Sequence, residues 1–320
     1  MNNYNFWQQL LHRIALSSRF MREMAFDFEK AVFLKKSTTE IKDSVFVTGL
    51  ARAGTTILLE AVHASGKFAS LSYANMPFVM SPNLWGEISG KNNAQEKTER
   101  AHGDGIMVDT NSPEAFEEVF WQTFSNQEAN KQFKNYVGLI QNSCQQRRYL
   151  SKNNQNVNRI DVLQKILPSA KILIVFKDPL NHACSLLKQH VEFSKVQQKD
   201  GFIKDYMDWI HHSEFGLSYQ SITSENLKHT NLECVDHWLE QWWLLYAKLI
   251  KVHEGDPNIV FVNGGLLYSG KSWENIRNFL EIGNYDFKFR NVKKNIETDY
   301  NQALYQKCKI LYDNLNKVAI

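Results

Sequence analysis

The sequence predicts an α/β protein in which helices flank a central parallel β-sheet. Three short strand-like runs, at residues 45–47, 172–176 and 258–262, are each followed by a turn and then by apolar residues at helical spacing. The second run is apolar throughout, which is typical of a strand that is covered on both faces of a parallel sheet. Repeated alternation of strand, loop and helix is the pattern of this fold class.

Length and composition predict one continuous domain over residues 1–320. The chain is long enough to bury a large core, and its 6 Pro and 15 Gly residues form no low-complexity linker. No repeat of fixed period is present. Within this domain we expect an N-terminal helical extension (1–40), a strand–loop–helix unit (44–64), a second ligand-binding region (147–190) and a largely helical remainder (191–320).

The composition argues against several classes of function. A formal net charge of +3 is too small for a dedicated nucleic-acid binder. Cys144, Cys184, Cys234 and Cys308 lie far apart and lack the spacing of a structural zinc site, which favours reduced thiols. No segment approaches the roughly 20 apolar residues of a membrane-spanning helix, and the N-terminus lacks the features of a signal peptide. We therefore expect a cytoplasmic protein without a bound metal ion.

The N-terminal segment predicts an amphipathic helix. Its apolar face consists of Phe6, Trp7, Leu10, Leu11 and Ile14. Such a face usually packs against the core of its own protein, and this is what we expect here. The alternative is that it contacts a membrane surface or a partner.

The clearest candidate site is the glycine-containing turn within residues 44–61, SVFVTGLARAGTTILLEA. Gly49 and Gly54 allow the backbone to pass close to a ligand. The helix that follows directs its unpaired N–H groups and the positive end of its dipole toward the same space. The turn is therefore suited to binding phosphate.

A comparison with the Walker A pattern, GxxxxGK[ST], refines this prediction. Gly49 and Gly54 have the Walker spacing, but Thr55 occupies the lysine position and the cation is Arg52, inside the loop. A guanidinium can bind a phosphate, or the bridging oxygen of a mixed anhydride, without a metal ion. We expect a phosphate ligand but no magnesium-dependent triphosphatase activity.

The segment GLARAGTT resembles the 5'-phosphosulfate loop of sulfotransferases that use 3'-phosphoadenosine 5'-phosphosulfate (PAPS). That loop typically reads P-[RK]-S-G-T-T. The matching residues are Arg52, Gly54, Thr55 and Thr56, whereas Ala51 and Ala53 replace the usual Pro and Ser. The resemblance implies a P-loop-like fold, PAPS as cofactor and 3'-phosphoadenosine 5'-phosphate (PAP) as product. It also implies that residues 52–56, including the backbone of Ala53, hold the phosphosulfate.

A second motif resembles the family's 3'-phosphate site, R-D-P followed by a Ser eight residues after the Arg. Lys177, Asp178, Pro179 and Ser185 have this spacing, with Lys in place of Arg. The resemblance implies that Lys177 and Ser185 bind the 3'-phosphate. Lys177 offers a point charge where Arg would offer a bidentate fork. On the helix that Pro179 begins, we expect His182 and His190 to be solvated and Cys184 to be buried.

Four residues, His102, Asp104, Lys152 and Arg52, are candidates for the chemical step. Arg100 and His102 resemble a K-x-H motif that carries the catalytic base in many sulfotransferases, and imidazole suits proton abstraction near neutral pH. Asp104 either orients His102 or is itself the base. Lys152 resembles the strand-ending Lys of carbohydrate and tyrosylprotein sulfotransferases, where it would neutralise charge on the transferring sulfonate together with Arg52.

The expected reaction is transfer of a sulfonate from PAPS to a hydroxyl acceptor, such as a carbohydrate or small molecule. The late R-K-G-x-x-G-D-W-K motif of cytosolic small-molecule sulfotransferases is missing, which favours a divergent bacterial or carbohydrate-type branch. A P-loop-type nucleotide-dependent kinase and a non-catalytic nucleotide-binding protein are the alternatives. The aromatic and imidazole cluster at residues 206–215 is compatible with an acceptor lid, a packed helix end or, with less support, a metal site.

Other segments give local predictions. Residues 68–73 suggest a strand, residues 75–87 an apolar loop, and Ser112 the start of a helix. A long helix is expected over residues 232–253, and its apolar stripe should lie in the core. That stripe consists of Trp238, Trp242, Leu245, Tyr246 and Leu249.

Overall fold

A computed structural model describes residues 4–34, 41–89, 98–99, 107–146, 148–223, 225–289 and 298–320. The helices are α1 (Phe6–Leu16), α2 (Arg19–Phe33), α3 (Thr55–His63), α4 (Pro82–Ser89), α5 (Glu117–Thr123), α6 (Asn126–Cys144), α7 (Ile160–Ile166), α8 (Pro179–Lys199), α9 (Gly201–Trp209), α10 (Val235–His253), α11 (Gly264–Tyr268), α12 (Trp273–Leu280) and α13 (Gln302–Val318). The strands are β1 (Val45–Thr48), β2 (Phe68–Ala69), β3 (Thr98–Glu99), β4 (Met107–Val108), β5 (Arg148–Lys152), β6 (Lys171–Phe176) and β7 (Ile259–Asn263).

Within the described ranges, five strands form one parallel sheet in the order β2-β5-β1-β6-β7. The predicted α/β fold class is therefore confirmed. Strand β1 lies between β5 and β6, and Val47 is paired with Lys152 on one side and with Leu173 on the other. Because the strands are parallel, the segments that follow β5, β1 and β6 emerge side by side at one edge of the sheet.

Side chains of the central strands alternate between two cores, one on each face of the sheet. Phe46 and Ile174 belong to the larger core, which the long helices α6, α8 and α10 cover. Val45, Val47 and Val175 belong to the smaller core beneath α3 and α12. All five side chains are fully buried, so the sheet is held from both sides and its loop edge has a rigid base.

Helix α1 does not pack as its apolar face predicts. Phe6 and Trp7 are 71% and 74% exposed, and Leu10 and Ile14 are exposed as well. The face turned inward carries His12, whose ring contacts Phe202 and Tyr206 of α9. The prediction that the apolar face packs on the core is thus wrong. Contact of this face with a membrane surface or a partner stays a prediction, which binding to lipid vesicles would test.

Three other local predictions had incorrect limits. Strand β2 covers only Phe68–Ala69, and the expected loop at 75–87 contains the start of helix α4. Helix α5 begins at Glu117, and Pro113 instead forms a β-bridge with Ser72. In the described part of the chain, no helix is both long and apolar enough to span a bilayer.

Candidate active site

The loop between β1 and α3 depends on glycine at two positions. Gly49 has φ 137°, and a Cβ there would lie 2.3 Å from the backbone oxygen of Val175 in β6. Only glycine lets the loop leave β1 so close to the neighbouring strand. Gly54 has φ 111° and is the N-cap residue of α3. The sequence-predicted glycine turn is therefore present, with its two glycines where the backbone requires them.

The first turn of α3 faces the same edge of the sheet with open donors. The first N–H to bond within the helix is that of Leu58, which donates to the oxygen of Gly54 at 3.1 Å. Among the described residues, no side chain caps the N-terminus of this helix. Thr55 is buried and Thr56 is half-buried. The N–H groups that precede Leu58 can therefore bind an anion, as the sequence predicts.

Arg52 lies at the tip of the loop with φ 68°, in the left-handed region that residues with a Cβ seldom adopt. Its neighbours in the loop are fixed by other elements. The N–H of Leu50 donates to the Tyr246 hydroxyl on α10 at 3.2 Å, and the Ala51 oxygen lies 2.8 Å from Nε2 of His182 on α8. Residues of α8 and α10 thus hold the loop backbone beside Arg52.

Lys177 follows β6 directly and is half-buried beside this loop. Burial lowers its pKa, and the positive charge of Arg52 lowers the pKa further. The next residue, Asp178, is the N-cap of α8 and accepts hydrogen bonds from the backbone N–H and the side-chain amide of Asn181 at 3.0 and 2.9 Å. Ser185 lies further along α8 and is half-buried. Arg52 and Lys177 therefore lie close enough for their charges to interact.

Lys152 stands on the opposite side of the loop. It is the last residue of β5, is 7% exposed and is paired with Val47 in the sheet register. The chain beyond it is tied to β1, because the Thr48 hydroxyl donates to the backbone oxygen of Asn153 at 2.8 Å. The glycine loop is thus flanked by Lys152 on one side and by Lys177 on the other.

Comparison with known proteins identifies the family. A sequence model described as the sulfotransferase family matches residues 44–236, which is more than half of the chain and includes the glycine loop, Lys152 and Lys177. The chain belongs to the sulfotransferase family. No curated protein matches this sulfotransferase significantly.

One solved structure supports the fold, and a second is less similar. Sulfotransferase STF9 from Mycobacterium avium is similar with a TM-score of 0.51 at 9% identity, covering 98% of this chain and 79% of that chain. Sulfotransferase STF1 from Mycobacterium tuberculosis H37Rv is similar with a TM-score of 0.49 at 12% identity, covering 95% and 81%. At such identity the first likeness shows a shared fold and nothing finer.

The candidate base cannot be placed relative to this loop. His102 and Asp104, together with Arg100, lie outside the described residues. Two carboxylates that the structure does describe, those of Glu117 and Glu118, already accept hydrogen bonds from other side chains. Glu117 accepts from the Tyr149 hydroxyl at 2.8 Å, and Glu118 forms an ion pair with Arg159 at 2.6 Å. The roles of His102 and Asp104 in the sulfotransferase therefore stay predictions.

The cluster at residues 206–215 forms the end of helix α9. His211 adopts φ 57°, its N–H donates to the Asp208 oxygen, and the N–H of His212 donates to the Met207 oxygen. This pair of bonds is a common way to terminate a helix. Burial, followed by the charge of Arg22, lowers the pKa of His211 to about 4. Of the interpretations left open by the sequence, a packed helix end fits these bonds best.

One link connects this helix end to the active-site edge. The side-chain amide of Asn154, two residues after Lys152, donates to Glu214 at 3.1 Å. The segment after α9 therefore lies beside the exit of β5. An acceptor-binding role for this segment stays a prediction.

Sequence reasoning missed three residues that shape the loop, namely His182, Tyr246 and Gly264. His182 was expected in solvent but is fully buried, and His190 is also buried, so both expectations are wrong. Tyr246 is buried as expected, yet its hydroxyl bridges Leu50 and Val175. At Gly264, after β7, a Cβ would lie 2.1 Å from the Ala53 oxygen. The available signal was the position of His182 one turn after Asp178, on the side of α8 that also carries buried Leu186.

Proposed function

We propose that this sulfotransferase transfers the sulfonate of PAPS to a hydroxyl acceptor, such as a carbohydrate or a small molecule, and releases PAP. The observation that supports this most directly is the proximity of Arg52 and Lys177. Burial contributes most to the lowered pKa of Lys177, and the charge of Arg52 lowers it further while Asp178 raises it, so the two cations lie close enough to interact. One nucleotide with phosphate groups at both its 5' and 3' positions would compensate both charges.

The order of the strands suggests how PAPS is oriented. The backbone N–H groups from Gly54 to Thr56, the hydroxyls of Thr55 and Thr56, and Arg52 would hold the 5'-phosphosulfate, whereas the N–H of Ala53, expected to take part, donates to the Leu50 oxygen at 3.2 Å. Lys177 and Ser185 would hold the 3'-phosphate on the β6 side of the loop. Lys152, on the β5 side, would then lie toward the sulfonate. This arrangement agrees with the side-by-side exits of β5, β1 and β6.

The protein's part in the chemistry follows from this placement. In the transfer, the acceptor oxygen forms a bond to sulfur while the bond from sulfur to the bridging phosphate oxygen breaks. The electron pair of that bond stays on the bridging oxygen, where Arg52 and Lys152 would stabilise the developing negative charge. His102, or alternatively Asp104, would accept the proton of the acceptor hydroxyl. Fixed cations and helix N–H groups supply the charge stabilisation in this proposal.

Ligand binding and turnover test the proposed function. Calorimetry should show that PAP binds at least about tenfold more tightly than ADP with Mg²⁺, since only PAP carries a 3'-phosphate for Lys177. Incubation with PAPS and a panel of hydroxyl acceptors should yield a sulfated product. A preference for ADP with Mg²⁺ would support a kinase instead. PAP binding without sulfonate transfer or PAPS turnover would support a non-catalytic nucleotide-binding protein.

A His102→Ala variant tests the identity of the base. We expect kcat to fall by about 100-fold or more, because general-base assistance contributes this much to proton transfer. The Kd for PAP should stay within about twofold of wild type, since the imidazole has no role in holding phosphate. Steady-state kinetics gives kcat, and calorimetry gives the Kd for PAP.

The matched variant Asp104→Asn separates the two candidate bases. If Asp104 orients His102, the Asp104→Asn variant should retain part of its activity, and its pH–rate profile should still show one group titrating near the pKa of imidazole. Undiminished kcat in His102→Ala, together with loss of activity in Asp104→Asn, would assign the base to Asp104.

A further inference from the structure

The conformation of Arg52 is fixed through its neighbours. The peptide that joins Ala51 to Arg52 sets the direction from which the arginine leaves the loop. The oxygen of that peptide is 2.8 Å from Nε2 of His182. On either side of this point, Tyr246 binds the N–H of Leu50, and the backbone oxygen of Ala53 packs tightly against Gly264. A left-handed residue that carries a Cβ persists only where its surroundings hold it in this way.

When its ring is neutral, His182 can hold this peptide in only one tautomer. The side chain is fully buried, and its burial, followed by the charge of Lys177, lowers its pKa to about 3. The ring is therefore neutral at physiological pH and carries one N–H. Because a carbonyl oxygen can only accept, that N–H must be at Nε2 and must donate to Ala51. The one N–H of the imidazole is thus used in the hydrogen bond to the Ala51 oxygen.

Packing alone would not favour histidine at this position. Nδ1 of His182 is buried and has no hydrogen-bond partner among the described residues. A buried nitrogen without a partner destabilises the folded state, and an aliphatic side chain of similar size would avoid this cost. The bond to Ala51 is what an aliphatic residue could not provide. This bond is made to the residue next to the arginine of the phosphosulfate loop.

We propose that His182 is a positioning residue for sulfonate transfer, which holds the Ala51–Arg52 peptide so that Arg52 reaches the phosphosulfate. The inference rests on the proposed function in that it takes Arg52 to bind the sulfonate donor. His182 itself acts through the loop backbone and need not contact the substrate.

Two substitutions at this position test the role. Glutamine can donate an amide N–H toward Ala51, whereas leucine fills the space without a donor. We expect His182→Leu to lower kcat/KM for PAPS by about tenfold or more, as for loss of one buried hydrogen bond, and to leave Tm near that of wild type. His182→Gln should recover most of kcat/KM. A purely structural histidine would instead change Tm without this rescue.

His190 provides a matched control on the same helix. It is also buried, and its Nδ1 accepts at 3.3 Å from the N–H of Gly216, which lies outside the glycine loop. His190→Leu should therefore lower Tm and leave kcat/KM for PAPS within about threefold of wild type. An equal loss of kcat/KM in the two leucine variants would overturn the proposed role of His182.

A measurement on the wild-type protein covers the case in which His182→Leu fails to fold. Proton–nitrogen NMR correlation of the histidine rings, with the His182 signal assigned from His182→Gln, should show the Nε2–H tautomer throughout pH 5–8. A proton on Nδ1, or titration of this ring near pH 6.5, would overturn the inference. If PAP does not bind wild type at all, the proposed function itself fails. If PAP binds and PAPS turns over, but both His182 variants match wild type, only the positioning role fails.

Discussion

An Arg52→Ala variant should lose about 1000-fold in kcat for sulfonate transfer. The guanidinium is the cation inside the loop, and removing a preorganised donor to developing charge typically costs 100- to 1000-fold in rate. The loop itself should persist, because alanine retains the Cβ, and Tyr246, His182 and Gly264 hold the neighbouring residues. Burial would still lower the pKa of Lys177, but removing the charge should relieve the further lowering that Arg52 causes. The check is kcat at saturating PAPS, with Tm measured on the same samples.

Arg52→Lys is the matched control for this prediction. It keeps the positive charge but loses the planar fork, so we expect kcat between that of wild type and that of Arg52→Ala. A kcat for Arg52→Ala within tenfold of wild type would contradict the proposed role. It would mean that the charge at the bridging oxygen is stabilised elsewhere.

A Lys177→Ala variant should bind PAP about 10- to 100-fold more weakly, as expected for loss of a charged contact to phosphate. The same substitution should leave the affinity for AMP nearly unchanged, since AMP lacks the 3'-phosphate. This comparison isolates the contact, because both ligands share adenine, ribose and 5'-phosphate. Isothermal titration calorimetry gives both constants for each variant.

Two further variants complete the test of Lys177. Lys177→Arg restores the arginine typical of the family motif and should bind PAP at least as tightly as wild type. Lys188 on the same helix pairs with Glu192 at 3.5 Å and has a 56% exposed side chain, so Lys188→Ala should change neither affinity. An equal loss of PAP and AMP affinity in Lys177→Ala would show that the lysine does not read the 3'-phosphate.

The parts of the fold that could be predicted are those whose signal is local. The run that forms β6 is buried on both faces, and its residues after Lys171 are all apolar, so the sequence itself indicates a covered strand. The glycine turn was predictable because Gly49 and Gly54 report a backbone requirement that other residues do not meet. Lys152 and Lys177 could be placed because Lys152 is the last residue of β5 and Lys177 directly follows β6.

The parts that could not be predicted depend on polar groups satisfied by distant partners. The buried side of α8 contains His182 and His190, which interrupt its apolar stripe, and periodicity alone assigns such residues to solvent. Their partners, Ala51 and Gly216, lie far away in the chain. The opposite error occurs in α1, where periodicity assigns the apolar Trp7 to the core but the side chain is exposed.

The central claim is that Arg52 and Lys177 bind opposite ends of one nucleotide. A crystal structure of this sulfotransferase with PAP tests it most directly. We expect the Arg52 guanidinium and the N–H groups of the glycine loop to contact the 5'-phosphate, and Lys177 Nζ to lie within hydrogen-bond distance of the 3'-phosphate of the same molecule. A PAP molecule that contacts only one of the two side chains, or that binds away from the carboxyl ends of β1 and β6, would contradict the account.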